Sequence, residues 1–167
     1  MSKKNKSAEK ETAPLAGLRG IDYAASAARV LLGGVFLVSG LHKTAAPPEE
    51  FAVVIEAYHL VSAATAGFMS ITLPWAEILL GLMLVTGFKA RKASAAGGAF
   101  FLMFIFAIGS TIVRGVPLEN CGCFGSGIHL TPPQALGLDS LLLCLSYFAY
   151  KRGAGLAPAD CWIEKGR

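Results

Sequence analysis

Cys121 and Cys123 sit one glycine apart in the polar stretch ENCGCFGSG (119–127), between two long apolar runs. Two thiols at that spacing are a candidate redox pair. A bridge needs its α-carbons about 4.4–6.8 Å apart, and residues two apart meet that only in a turned backbone. Gly122 can supply the unusual torsions, and Gly125 keeps the loop adaptable. So small a ring would be strained and easily reduced, which suits a bond that is exchanged rather than one that holds a fold. Three plainer readings stay open: free thiols without a role, an inert bridge, or two ligands of a metal site. Glu119 and His129 are the nearby extra donors for the last, but zinc takes about four ligands and favours wider pair spacings, so no metal set is assigned.

The second group of chemistry-bearing residues is charged and lies in apolar surroundings: Arg29, Glu77 and Asp139, with Lys43 at the end of an apolar run. Ionisable groups inside a membrane turn toward the bundle interior and pair. Counting along the runs predicts an Arg29–Glu77 pair and a Lys43–Asp139 pair. Such pairs serve structure, or form a proton or quinone-headgroup site beneath the cysteines. His42 neighbours Lys43 at the membrane boundary, where a histidine is most often simply interfacial.

The elements that must position these residues follow from composition. Hydrophobic residues make up 54% of the 167-residue chain and charged residues 16%, against about 25% charged in soluble domains. Four runs approach the ~20 residues that cross a ~30 Å hydrocarbon core as a helix: Ala24–Leu41, Thr65–Phe88, Ala93–Val113 and Gln134–Tyr150. The expected fold is an all-α membrane protein, a four-transmembrane-helix bundle spanning residues 21–152. Arg29, Gly33, Phe36, Gly40 and Lys43 form one stripe on the first span, and its glycines permit close approach of another helix. Pro74, Glu77 and Gly81 share a face of the second, where the proline is expected to kink the helix. Between these spans, Pro47–Pro48 and Glu49–Glu50 start a short amphipathic helix on the outer surface, with Phe51, Val54, Ile55 and Tyr58 on one side. Thr131 is an N-cap for the fourth span, ahead of two prolines. The short connection at 89–92 predicts spans two and three as antiparallel neighbours.

Positive charge gives the orientation. Of the 15 Lys and Arg, twelve fall on one side: Lys3, Lys4, Lys6, Lys10 and Arg19, then Lys89, Arg91 and Lys92, then Lys151, Arg152, Lys165 and Arg167. The other side has Lys43 and Arg114. Positive loops stay cytoplasmic, so both termini are expected inside a bacterial inner membrane and the CGC loop outside, where disulfides persist. Residues 1–20 read as a polar cytoplasmic tail and 153–167 as a second one; the first span reads as an uncleaved anchor. Cys144 and Cys161 read as structural or incidental. The net charge of +4 requires no nucleic-acid partner. The sequence holds no Walker-type glycine loop, HExxH, CxxCH or serine-nucleophile motif.

Four pieces resemble the DoxX-like membrane proteins, and within them the methylamine-utilisation MauE group: RVLLGGVFLVSGLHK (29–43), FAVVIEAYHLV (51–61), LPWAEILLGLMLVTG (73–87) and RG followed by CGCFG (114–125). The resemblance implies a four-helix membrane bundle. For the MauE group it implies a role in maturing methylamine dehydrogenase, whose small subunit is rich in disulfides, beside a thioredoxin-like periplasmic protein. Other DoxX-like members are linked to thiosulfate oxidation with quinone or to oxidative-stress complexes.

Three functions are therefore carried forward. The first is a thiol–disulfide component, enzymatic or quinone-linked, in which Cys121 and Cys123 exchange with an external thioredoxin-like partner. The second is a non-catalytic assembly or anchor subunit of an oxidoreductase complex, binding through the glycine-rich faces and the surface helix; a homo-oligomer is a further expected partner. The third is a small transporter using Arg29, Glu77 and Asp139. The lipid bilayer is the partner common to all three, and quinone is the candidate cofactor of the first.

Overall fold

The computed structural model describes residues 20–116 and 131–152. Cys121, Gly122, Cys123 and Gly125 lie outside the described residues, as do the two tails. Five helices and no strand occur among the described residues: α1 (Gly20–Ala45), α2 (Pro48–Ala57), α3 (Ala63–Thr86), α4 (Ala90–Arg114) and α5 (Pro132–Arg152). Three stretches are long and apolar enough to cross a membrane: Tyr23–Ala45, Ala63–Thr86 and Ala90–Arg114. The fourth expected span, α5, has 21 residues. It carries Gln134, Asp139 and Ser146 and does not count among the three.

The helix ends follow local chemistry. Ser62 caps α3 by accepting from the Thr65 N–H at 3.4 Å. Gly87 ends α3 at φ +76°, a left-handed conformation that costs glycine little. At the start of α5 the Thr131 N–H donates to Gln134 Oε1 at 3.2 Å, the reciprocal half of a capping box, and Pro132 opens the helix where its missing N–H is not needed. α2 starts behind Pro47 with Glu49 and Glu50 in its first turn, and buries Phe51 and Ile55 as its pattern predicts. α3 stays helical through Pro74.

Packing divides the bundle into two antiparallel pairs, α1 with α3 and α4 with α5, joined by α1 against α5. α3 and α4 are adjacent in sequence, yet share a much thinner contact than either pair. Small residues explain the difference. A Cβ on Gly33 would stand 2.9 Å from the Gly81 carbonyl oxygen, one on Gly81 would stand 2.9 Å from the Gly33 carbonyl oxygen, and one on Gly40 would stand 2.8 Å from the Pro74 carbonyl oxygen. The two backbones touch, which in lipid is a main source of helix association. The glycine stripe of α1 is thus used within the chain, not offered to a partner. On the other pair, Gly97 and Gly98 lie against Ser146, whose hydroxyl donates to the Ser94 carbonyl at 2.6 Å. Leu32, Phe36, Leu80, Leu84, Phe101 and Leu142 fill the centre, while Phe68, Trp75, Leu79 and Phe106 point outward.

Candidate functional site: a buried charge cluster beneath the surface helix

The last turns of α1 and the middle of α3 bring three polar side chains together. Lys43 Nζ donates to Glu77 Oε1 at 2.6 Å, and the Ser39 hydroxyl donates to Glu77 Oε2 at 2.9 Å. The ion pair is sealed, with side-chain exposures of 0% for Lys43 and 1% for Glu77. Two aromatic rings border the ammonium: Phe51 of α2 at 4.9 Å and Phe104 of α4 at 5.3 Å from their centroids. Asp139 of α5 is also buried, at 4% exposure. It shares with Glu77, Ser39 and Phe104 a cavity of about 20 Å³, room for one water molecule.

This arrangement corrects both predicted pairings. Glu77 does not pair with Arg29, and the ion pair Lys43 makes is to Glu77 rather than to Asp139. Helix register is the reason. Gly33 faces Gly81 and Val85, and Gly40 faces Pro74 and Ile78. Extended along both helices, this register sets Glu77 near the level of Ser39 and Arg29 near Gly87. The offset between Arg29 and Glu77 is about ten residues, or about 15 Å of helix. Arg29 lies instead over the α3–α4 turn, where a Cβ on Gly87 would stand 2.6 Å from its Nη1. Lys43, about four turns further along the same stripe, takes the place expected of Arg29. Asp139 was correctly expected to face the interior.

A larger apolar cavity, about 270 Å³, adjoins the cluster. It lies between α2, α3 and α4, walled by Ile55, Tyr58, Met69 and Leu73. Phe51 and Phe104, the two rings that border Lys43, also line it. The Phe51 and Phe104 rings thus stand between the cavity and the ion pair.

Sequence reasoning missed one connection. Arg114, on the last turn of α4, donates through Nη2 to the Tyr58 carbonyl and through Nη1 to the His59 carbonyl at 3.4 Å. Its Nε also donates to the Ser110 carbonyl at 3.0 Å. Carbonyls at a helix C-terminus are electron-rich and lack intrahelical donors, so a guanidinium there is favourable. Arg114 fastens the end of α2 to the residue pair that leads into the CGC stretch. The only hint in the sequence was a lone arginine at an end otherwise poor in positive charge.

Comparison with known proteins then places the chain. The family model described as methylamine utilisation protein MauE matches residues 21–152. The chain belongs to the MauE family. A relative from Paracoccus denitrificans, the methylamine utilization protein MauE, is 28% identical over 135 residues, covering 80% of this chain and 72% of that one. No solved structure matches. The MauE match runs from α1 to α5, so it takes in the charge cluster, Arg114, the CGC stretch and α5 with Asp139.

Proposed function

We propose that this MauE-family protein is a four-span inner-membrane component of protein maturation linked to methylamine utilisation, and that Cys121 and Cys123 exchange disulfides with a thioredoxin-like partner outside the membrane. The supporting observation is the polarity of the bundle. Lys89, Arg91 and Lys92 open α4, Lys151 and Arg152 close α5, and Arg91 lies 5.1 Å from the Tyr150 ring, so these five basic residues share one end. Val116 and Thr131, which flank the CGC stretch, stand at the other end with α2 and the Tyr58–Ile108–Ala135 cluster. With positive charge inside, the thiols fall in the oxidising compartment. α5 is the fourth span in this reading: its 21 residues make about 31 Å of helix, and its polar Asp139 is turned inward.

In the exchange, two thiols of the partner lose two electrons and two protons as their disulfide forms. The Cys121–Cys123 disulfide takes them up and becomes two thiols. A bound quinone would supply the acceptor for two electrons and two protons that returns the pair to the disulfide. The apolar cavity beneath α2 would hold the apolar part of such a molecule, and Lys43 and Glu77 would come within reach of its oxygens only if Phe51 or Phe104 moved aside. A non-catalytic anchor is the second reading. The internal use of Gly33 and Gly40 removes the glycine faces from that reading and leaves it the exposed side of α2.

The test is thiol trapping in intact cells with a membrane-impermeant reagent, in a Cys144→Ser/Cys161→Ser background. Labelling only after mild reduction is expected. Cys121→Ser and Cys123→Ser should each abolish formation of active methylamine dehydrogenase; full activity of the double variant would sink the redox reading.

A further inference from the structure

At the basic end of the bundle, α4 and α5 leave an open groove of about 230 Å³. Its walls are small or aromatic: Ala95, Gly98, Ala99 and Leu102 on α4, and Tyr147 and Tyr150 on α5. Two features point to a ligand. The first is charge at the rim. The Arg91 guanidinium lies 5.1 Å from the Tyr150 ring centre, and the Lys151 ammonium 5.5 Å from that of Tyr147. Both cations are exposed, as are Lys92 and Arg152 beside them. None of the groove's lining residues is acidic. The second is Ser94. It also lines the groove, is 1% exposed, and its hydroxyl oxygen has no hydrogen-bond partner among the described residues. A hydroxyl left unsatisfied within a membrane is costly, and a ligand oxygen would relieve it.

We propose that this groove binds an anionic glycerophospholipid. An acyl chain lies along Ala95, Ala99 and Leu102, the ester region reaches Ser94, and the phosphate sits between Arg91 and Lys151. The shape suits a chain because the small residues leave a furrow between two helices in lipid. The rim suits a phosphate because basic residues at this depth attract anionic headgroups, and basic pockets between transmembrane helices bind them. The rings hold the cations over the furrow and reduce the freedom that binding would otherwise remove. The proposal stands apart from the thiol chemistry, since the groove is at the opposite end from Val116 and Thr131, the described residues on either side of the CGC stretch.

The experiment titrates the full-length protein, purified in neutral detergent, with phosphatidylglycerol or with phosphatidylcholine of the same acyl chains. Native mass spectrometry counts the lipids retained. Phosphatidylglycerol should stay bound and phosphatidylcholine should not. Arg91→Gln/Lys151→Gln should weaken phosphatidylglycerol binding about 25-fold, about fivefold for each basic residue. Ala99→Phe, at an exposed position, should expel the lipid with every cation intact, and it serves as the test if the double variant folds poorly. Equal retention of the two lipids by the wild-type protein would overturn the proposal. So would phosphatidylglycerol binding that neither variant alters. A lipid-free dimer dissociated by Ala99→Phe would assign the groove to a second copy of the chain and overturn it as well.

Discussion

Removing one member of the Lys43–Glu77 pair should cost far more than removing both. In Glu77→Gln the ammonium of Lys43 stays at 0% side-chain exposure with its 2.6 Å partner gone. In Lys43→Met the carboxylate keeps only the 2.9 Å bond from Ser39. Breaking a buried ion pair by deleting one partner costs about 3–5 kcal/mol, because an uncompensated charge remains. Replacing both by apolar side chains of similar volume is close to neutral in soluble proteins, and Lys43→Met/Glu77→Leu should behave alike here, with Phe51 and Phe104 available to pack against Met. Reversible unfolding in mixed micelles gives the cycle. The expected coupling energy is at least about 3 kcal/mol. The reasoning fails if Glu77→Gln alone costs under about 1 kcal/mol, or if Glu77 couples to Arg29 more strongly than to Lys43. The same double variant separates structure from chemistry. If stability returns and maturation activity returns with it, the pair only holds helices together. If stability returns without activity, the charges take part in function.

Three further outcomes are expected. Gly40→Leu should disrupt the α1–α3 contact, since a Cβ there already meets the Pro74 carbonyl oxygen at 2.8 Å; a loss of at least about 3 kcal/mol is expected, whereas Gly34→Ala, with nothing within 4 Å, should stay within about 0.5 kcal/mol by the same unfolding assay. Arg114→Met should release the end of α2, seen as faster amide exchange over Pro48–Ala57 with the long helices unchanged; unchanged exchange in α2 would show that its apolar face alone holds it. Cysteines introduced singly at Lys92 and at Val53, in a cysteine-free background, should label from opposite sides of the membrane with an impermeant reagent; labelling from the same side would refute the proposed orientation.

What was legible in the sequence was what repeats along one helix. Gly33 and Gly40 on α1, Pro74, Glu77 and Gly81 on α3, and Phe51, Ile55 and Tyr58 at α2 all declared their faces through spacing, and each face is buried as read. What was not legible was how one helix slides against another. Glu77 paired with Lys43 rather than Arg29 because the glycine contacts set the register, and an error of a few turns changes every cross-helix partner. The choice of neighbours was hidden for a related reason. A short α3–α4 connection makes these helices adjacent, but Gly33 and Gly81 draw α1 onto α3, and Gly97 and Gly98 admit Ser146 of α5 onto α4. Arg114 was illegible because its acceptors are backbone carbonyls, which any sequence offers. Cys121 and Cys123 were readable only as a candidate redox pair, and they lie outside the described residues.

α2 links the features that the proposed function needs. Its first turn places Phe51 against the Lys43 ammonium, and the same ring walls the apolar cavity. Its last carbonyls are held by Arg114, a few residues before Cys121. Admitting water to the ion pair from this end therefore requires Phe51 to leave, and α2 cannot lift as a unit without breaking the Arg114 bonds. Hydrogen bonds from a charged donor each contribute about 1.5–3 kcal/mol. The burial of Phe51, Ile55 and Tyr58 adds to that resistance. This ten-residue helix thus covers one side of a buried charge, and the arginine that secures it lies seven residues before Cys121 in the sequence. A disulfide exchanged at that end and a charge cluster within the bundle would then meet through one small element, without needing the long helices to move.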